Sequence, residues 1–231
     1  MRRFWKEVSA EQSAYGLAIR LDGKPVKTPL RAELLVPTTA LAEAVIAEWE
    51  AVAEKIDPAA MPMTGFANAA IDRVKPERPV FVEAISAYGE TDLFCYRAGA
   101  DEPLAARQEE VWAPWIDWAQ SRYDVAFTLV EGVIHQSQPL ETIARLKTAV
   151  AARGTFELVA MAKLAHLSGS LVATLALIEQ AGEADALWQA SCLDELWQEE
   201  LWGEDYFATK NRSDRQGEFM QASRFLELLR I

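Results

Sequence analysis

The sequence predicts an α+β protein, in which a small N-terminal α/β unit precedes a mainly helical domain. Short runs rich in strand-forming residues, separated by turn signals, concentrate in the first 40 residues. Apolar residues then recur at helical spacings of three and four along most of the remaining chain. Residues 58–63 contain two prolines and show no periodicity, so we place the boundary there, with domains at 1–60 and 61–231.

The N-terminal unit is predicted to contain an antiparallel meander. Residues 15–21 form its first predicted strand, and Asp22-Gly23 follows as a hairpin turn, because both central residues of a type I′ turn need a positive φ. Residues 25–28 and 33–36 supply two further predicted strands.

One amphipathic helix completes the predicted α/β unit. Thr38 or Thr39 can cap it, and Asp57-Pro58 ends it, because a residue that precedes proline is pushed out of the α region. Apolar side chains recur along it at four, four, three and four residues: Leu41, Val45, Trp49, Val52 and Ile56.

The remaining chain is predicted to be helical with two exceptions. Pro114 should kink or break the long helix that Pro103 opens, and residues 125–130 resemble a strand. Thr64 is a predicted helix cap, and Pro139 opens a helix that ends near residue 153. Residues 171–178 have no polar face and predict a helix buried on all sides, whereas residues 219–229 mix helix and strand signals.

Composition limits the partners and the compartment. The formal charge of −12 argues against nucleic acid or an anionic membrane surface and favours a basic protein. Cys95 and Cys192 are far apart and lie in apolar sequence, which predicts free buried thiols in a reducing compartment and no metal site. No apolar run is long enough to span a bilayer, no targeting segment is recognisable and no nucleotide-binding motif is present. We therefore expect a cytoplasmic protein without a cofactor.

Residues 187–207 stand out because they contain three tryptophans, six carboxylates and no basic residue. Treated as a single α-helix, they place Leu193, Trp197 and Leu201 on a face that packs on a core. The opposite face mixes indoles with acids, and we expect Trp188 and Trp202 to be partly exposed there. The candidate partner-binding residues are Trp188, Glu195, Glu199, Glu200 and Trp202.

Other interpretations of these residues remain open. Glu195 and Glu199 lie one helical turn apart and could serve a carboxylate-dependent hydrolase, although such pairs are commonplace. The acidic face could instead dock another basic protein as a scaffold, or the helix could be packed on both sides with its outer acids in water. Elsewhere, Asp92 and Arg97 are better explained as caps and an internal ion pair, and His166 as a core or capping residue.

Six separate blocks of the sequence resemble one family. They begin at residues 3, 21, 47, 61, 91 and 193, and read RFWKEV, LDGKPVKTP, AEWEA, MPMTGFANAAID, TDLFCYRA and LDELWQEELWGED. This pattern is similar to the Atp-twelve family, the assembly chaperones for the α subunit of the soluble catalytic head of F-type ATP synthase. The chain departs from the family at Leu30-Arg31, where members tend to have a glycine-containing turn.

The resemblance implies a non-enzymatic chaperone that holds the new α subunit before it joins the β subunit. It also implies an N-terminal α/β unit followed by a helical one. The resemblance further implies that the family's function rests on an acid in the LDELWQ block, which corresponds to Glu195, with Glu199 and Glu200 as the neighbouring candidates. Mitochondrial members carry a transit segment, whereas the first block of this chain begins at residue 3. We therefore expect a bacterial, cytoplasmic relative.

Overall fold

The computed structural model describes residues 2–230 and confirms the predicted fold class. Two compact units are present. The first contains residues up to 78 together with 154–160 and the end of the chain from 223, and the second contains 79–153 and 161–222. The boundary after residue 60 stays a prediction about where separate domains begin.

The first unit contains a four-stranded antiparallel sheet. Its strands are β1 (Val8–Ser13), β2 (Gly16–Leu21), β3 (Lys24–Pro25) and β4 (Leu35–Val36). Strand β2 lies at the centre and pairs with the other three. Asp22 and Gly23 have φ values of 49° and 74°, which confirms the predicted turn. The sequence did not predict β1, because VSAEQS lacks a clear alternation of apolar and polar residues.

Helix α1 (Thr39–Ala51) buries the predicted stripe of Leu41, Val45 and Trp49. The Thr38 hydroxyl accepts a hydrogen bond from the Leu41 amide at 3.3 Å, so the predicted cap is confirmed. The helix ends five residues earlier than predicted, because Val52 is already extended with a ψ of 113°.

The cap of helix α2 (Pro62–Ala69) differs from the prediction. Thr64 lies inside the helix, and the side chain of Glu48 performs the capping instead. Its two carboxylate oxygens accept hydrogen bonds from the Met63 amide at 2.7 Å and the Thr64 amide at 2.8 Å. A carboxylate from the preceding helix α1 therefore satisfies free amides of the first turn.

The remaining helices are α3 (Arg78–Ser86), α4 (Pro103–Tyr123), α5 (Leu140–Ala151), α6 (Thr155–Ser168), α7 (Leu171–Ile178), α8 (Ala184–Ser191), α9 (Leu193–Trp202) and α10 (Tyr206–Leu228). Every residue of α7 is buried, as predicted. Helix α4 continues through Pro114, so the predicted break is wrong, whereas the kink predicted as its alternative stays a prediction. The strand predicted at 125–130 is also wrong, because only β6 (Val130–Glu131) pairs, with β5 (Tyr96–Arg97).

Asp92 is the most enclosed carboxylate of the second unit. Its oxygens accept hydrogen bonds from the amides of Phe94, at 3.0 Å, and Val172, at 2.8 Å. Burial raises the pKa of Asp92 to about 6. Asp92 is thus a cap, as predicted, whereas Arg97 pairs with Glu109 at 3.3 Å rather than with Asp92.

Three further sequence predictions concern histidine, the cysteines and the membrane. His166 is exposed and lies in the last turn of α6, so its assignment to the core is wrong, whereas the capping alternative stays a prediction. Both cysteines are free and buried, as expected. None of the helices within residues 2–230 combines the length and apolar character needed to cross a membrane.

Candidate functional site

The acidic and aromatic segment is divided among three helices. Helix α8 ends at Ser191, α9 begins at Leu193, and Cys192 between them has a ψ of 9°. A further break at residues 203–205 precedes α10. The two faces derived from one continuous helix are therefore wrong, and Leu201, placed in the core stripe, is 58% exposed.

Trp188 is a core residue rather than a surface residue. It is 1% exposed, and its ring centroid lies 5.3 Å from that of Phe219. The Arg215 guanidinium lies over the indole, 5.6 Å from the ring centroid. The expectation that Trp188 is exposed is wrong, and its indole cannot touch a partner while this packing is intact.

Glu195 and Glu199 bind arginines of helix α10. Arg215 donates to both oxygens of Glu195 at 2.7 and 2.6 Å, and Arg212 pairs with Glu199. The Thr209 hydroxyl also donates to Glu199, at 3.1 Å. The side chain of Glu199 is only 17% exposed, so its pairing is largely internal, whereas Glu195 is about half exposed.

These two ion pairs fix the direction of the helices. Glu195 pairs with Arg215 and Glu199 pairs with Arg212, so the residue number rises along α9 as it falls along α10. Helices α9 and α10 therefore form an antiparallel hairpin with one acid–arginine pair in each of two successive turns. Glu195 and Glu199 hold this hairpin together.

Glu200 and Asp194 belong to different environments. Glu200 pairs with Arg107 at 3.4 Å, and both side chains are about half exposed, so solvent weakens the attraction. Asp194 accepts a hydrogen bond from the Gln108 amide group at 2.8 Å, and burial raises the pKa of Asp194. Asp194 therefore anchors α9 to α4, while Glu200 remains accessible.

The sequence WGEDY makes the turn between α9 and α10. Gly203 has a φ of 87°, a value that favours glycine, and its amide donates to the Glu199 carbonyl at 2.9 Å. Asp205 then accepts a hydrogen bond from the Ala208 amide at 2.8 Å and caps α10. Gly203 therefore ends α9, and Asp205 caps the start of α10.

This turn exposes a group of large apolar side chains. Trp202 and Phe207 are each 78% exposed, and Tyr206 is 72% exposed; Leu201 adds a fourth apolar side chain. The carboxylates of Glu200, Glu204 and Asp205 alternate with them in the sequence, and all three are exposed. We call residues 200–207 the elbow surface. Clustered exposed aromatic residues are typical of protein interaction sites.

A cleft of about 460 Å³ lies beside the elbow surface. Its lining includes four carboxylates but a single arginine. Arg215 and Arg212 neutralise Glu195 and Glu199, so Glu204 and Asp205 leave a formal excess of two negative charges. The lining residues are Glu195, Gln198, Glu199, Trp202, Gly203, Glu204, Asp205, Ala208 and Arg212. The cleft therefore combines an indole with a negative potential.

Several residues of this region escaped the sequence analysis. Tyr206 and Phe207 ended the analysed segment and received no role, and Arg212 and Arg215 lay beyond it. A signal existed, because two arginines three residues apart follow two glutamates four residues apart, a spacing that suits paired helix turns.

The geometry suits protein binding better than hydrolysis. Both carboxylates that the hydrolase hypothesis needs, Glu195 and Glu199, are already engaged by arginines. Within residues 2–230, no group of three or more His, Cys, Asp or Glu side chains is placed to hold a metal ion. A helical hairpin with an exposed acidic and aromatic turn is typical of proteins that bind other proteins.

Comparison with known proteins gives the family. The sequence profile of the ATP12 chaperone protein family matches residues 2–120, about half of the chain. The crystal structure of Atp12 from Paracoccus denitrificans superimposes with a TM-score of 0.96 at 39% identity, over 99% of this chain and 98% of that one. This chain belongs to the ATP12 family, whose members are chaperones of ATP synthase assembly.

Two other relatives agree with this assignment. The Atu1473 protein of Agrobacterium tumefaciens is 37% identical, with a TM-score of 0.93 over 99% of this chain and 86% of that one. The mitochondrial protein atp12 of Schizosaccharomyces pombe is 22% identical over 214 residues, which cover 87% of this chain and 74% of that protein. The family that the sequence blocks suggested is thereby confirmed.

Proposed function

We propose that this protein binds the free α subunit of the soluble catalytic head of F-type ATP synthase and prevents its aggregation before it pairs with the β subunit. Membership of the ATP12 chaperone family supports this proposal. The two buried free thiols suit a reducing compartment, and we propose that the protein acts in the bacterial cytoplasm.

The elbow surface is the observation that carries the proposal. A subunit that awaits its partner exposes an apolar interface, which a chaperone must cover with apolar area of its own. Leu201, Trp202, Tyr206 and Phe207 offer that area on one turn. The acids between them discourage binding to other acidic surfaces and orient a basic client.

The candidate residues take two roles in this proposal. Trp202 and Glu200 contact the client directly, because both are accessible. Glu195 and Glu199 position the elbow by pairing α9 with α10. Trp188 supports the same hairpin from beneath through its contact with Arg215.

Co-expression with a free α subunit tests the proposal. The double variant Trp202→Ser/Phe207→Ser removes two exposed rings whose loss the fold should tolerate. If each ring contributes about 1 to 2 kcal/mol to binding, soluble α subunit should fall by about tenfold or more. The matched control is Val133→Ser/Ile134→Ser, which removes two other exposed apolar side chains.

Three outcomes would contradict the proposal or the role of the elbow surface in it. An elbow variant that keeps the α subunit soluble as well as the unaltered protein, while melting normally, would show that the client binds elsewhere. If the unaltered protein retains a different basic protein from cell extract and ignores the α subunit, the scaffold alternative is correct. Loss of solubility in the control variant as well would contradict a specific role for the elbow.

A further inference from the structure

We propose that the cleft beside the elbow surface binds an arginine side chain of the client, with its guanidinium on the Trp202 indole and against the Glu204 carboxylate. The inference rests on the proposed function and adds the chemistry of the client residue. Three tryptophans of the second unit support it, and two of them already hold an arginine over the indole.

The first tryptophan is Trp112, a buried indole that carries an arginine paired with a carboxylate. The Arg97 guanidinium lies 5.3 Å from the centroid of the Trp112 ring, and the same guanidinium pairs with Glu109 at 3.3 Å. An arginine thus lies on the face of an indole while a carboxylate neutralises it. The ring face and the Glu109 carboxylate both stabilise the cation, and the carboxylate accepts from only one of its three nitrogens, because Nε and Nη2 of Arg97 have no hydrogen-bond acceptor.

The second tryptophan is Trp188, which repeats the arrangement on the α9–α10 hairpin. Arg215 lies over the indole at 5.6 Å and donates to Glu195 at 2.7 and 2.6 Å. The carboxylate of this group lines the cleft. The hairpin therefore already contains one arginine held between an indole and a carboxylate, next to the proposed site.

The third tryptophan, Trp202, has the carboxylate but lacks the arginine. It shares the cleft with Glu204 and is 78% exposed. Among residues 2–230 no arginine or lysine lies over its ring, and none forms an ion pair with Glu204. A cation from outside the protein would complete the group.

The charge of the cleft favours the same occupant. Its one arginine, Arg212, is already paired with Glu199, so it leaves the carboxylate of Glu204 uncompensated. Asp205 adds negative charge, although one of its oxygens is used to cap α10. A cationic side chain that enters the cleft therefore meets a negative potential from several directions.

The indole makes arginine a better occupant than lysine. A guanidinium is planar, stacks on an aromatic face and can present two parallel N–H groups to one carboxylate. An ammonium is more strongly hydrated and cannot stack in this way. The cleft of about 460 Å³ also leaves room for atoms that flank the guanidinium.

Three blocked peptides, which differ in one residue, test this inference on the full chain. The probes have the sequence Gly-Leu-Xaa-Leu-Gly, where Xaa is arginine, lysine or citrulline, the uncharged isostere of arginine. Binding is followed through the indole N–H resonance of Trp202, assigned with Trp202→Leu. We expect the arginine peptide to bind about tenfold more tightly than the citrulline peptide and about threefold more tightly than the lysine peptide.

Two variants locate the effect. Glu204→Gln should remove most of the preference for arginine over citrulline, whereas Glu43→Gln, an equal charge change at an exposed acid outside the cleft, should leave it intact. Trp202→Leu keeps apolar area but removes the aromatic face, so it should abolish the preference for arginine over lysine. Binding of Trp202→Leu is read by calorimetry.

The inference is overturned if citrulline and arginine peptides bind equally, if Glu204→Gln leaves the preference unchanged, or if no peptide binds at millimolar concentration. These results are separable from the co-expression test. If the protein keeps the α subunit soluble through its elbow but shows no arginine preference, the proposed function stands and only this inference fails. If it selects arginine but does not protect the α subunit, the arginine site stands and the proposed client is wrong.

Discussion

Replacing Asp92 by asparagine should change the way stability depends on pH. Asp92 is fully enclosed, and burial raises its pKa from 3.8 in the unfolded chain to about 6 in the fold. Because the folded state holds this proton more tightly, the stabilising contribution is complete below pH 3.8 and disappears as the pH rises through about 6. A shift of roughly two pKa units corresponds to about 3 kcal/mol.

The asparagine variant separates this contribution from those of the other carboxylates. Asparagine cannot titrate, and its one oxygen can serve either the Phe94 amide or the Val172 amide but not both. The amide left without an acceptor should cost about 1 to 3 kcal/mol at every pH. The titration of Asp92 adds a pH-dependent difference to this constant loss. The unaltered protein should therefore gain about 2 to 3 kcal/mol in stability over Asp92→Asn as the pH falls from 7 to 4.

Urea unfolding of both proteins at several pH values between 4 and 7 measures this difference. The midpoints should diverge as the pH falls, while the slopes stay equal if both proteins unfold in two states. A stability difference that is constant across this range would refute the reasoning. It would mean that the backbone donors around the carboxylate offset the effect of burial on its pKa.

Two further pairs of variants test the α9–α10 hairpin. Gly203→Ala should lower the free energy of unfolding by about 1 kcal/mol, because the φ of Gly203 is 87°. Gly217→Ala inside α10 should instead raise it by about 0.5 to 1 kcal/mol. Chemical denaturation measures both variants, and equal effects would contradict the assigned backbone role of Gly203. Glu195→Lys should cost about 1 to 2 kcal/mol, because it sets a second cation beside Arg215, whereas Glu204→Lys at an exposed site should change stability by less than about 0.5 kcal/mol. Thermal melts check the second pair, and a larger loss from Glu204→Lys would show that the elbow carboxylate is structural.

Much of the fold was predictable because its signals are local. The turn at Asp22-Gly23 needs two positive φ values, and residues 171–178 have no polar face, so each specifies its own environment. The stripe on α1 likewise follows from spacing alone. By contrast, the cap that Glu48 supplies to α2 joins residues 15 and 16 positions apart, and no local pattern indicates it.

The candidate site was predicted in its composition but not in its geometry. One helical period was assumed for the whole segment 187–207, and the breaks at Cys192 and Gly203 rotated its faces. The break at Cys192 places Trp188 on a separate helix, where it is enclosed. Leu201 shares α9 with Leu193 and Trp197 but lies in its last turn, beside the turn at Gly203, and is 58% exposed; both results are the reverse of the expectation. The arginines of α10 that pair with the acids belong to tertiary structure, which spacing along a single helix does not reveal.

A turn that displays four uncovered apolar side chains could attach to another copy of the same protein. The formal charge of −12 opposes that outcome, since two molecules of the same net charge repel each other. Glu200, Glu204 and Asp205 concentrate this repulsion at the adhesive point itself. Charge repulsion therefore protects the exposed apolar side chains of the elbow surface from self-association, and a proposed client of opposite charge would not meet this repulsion.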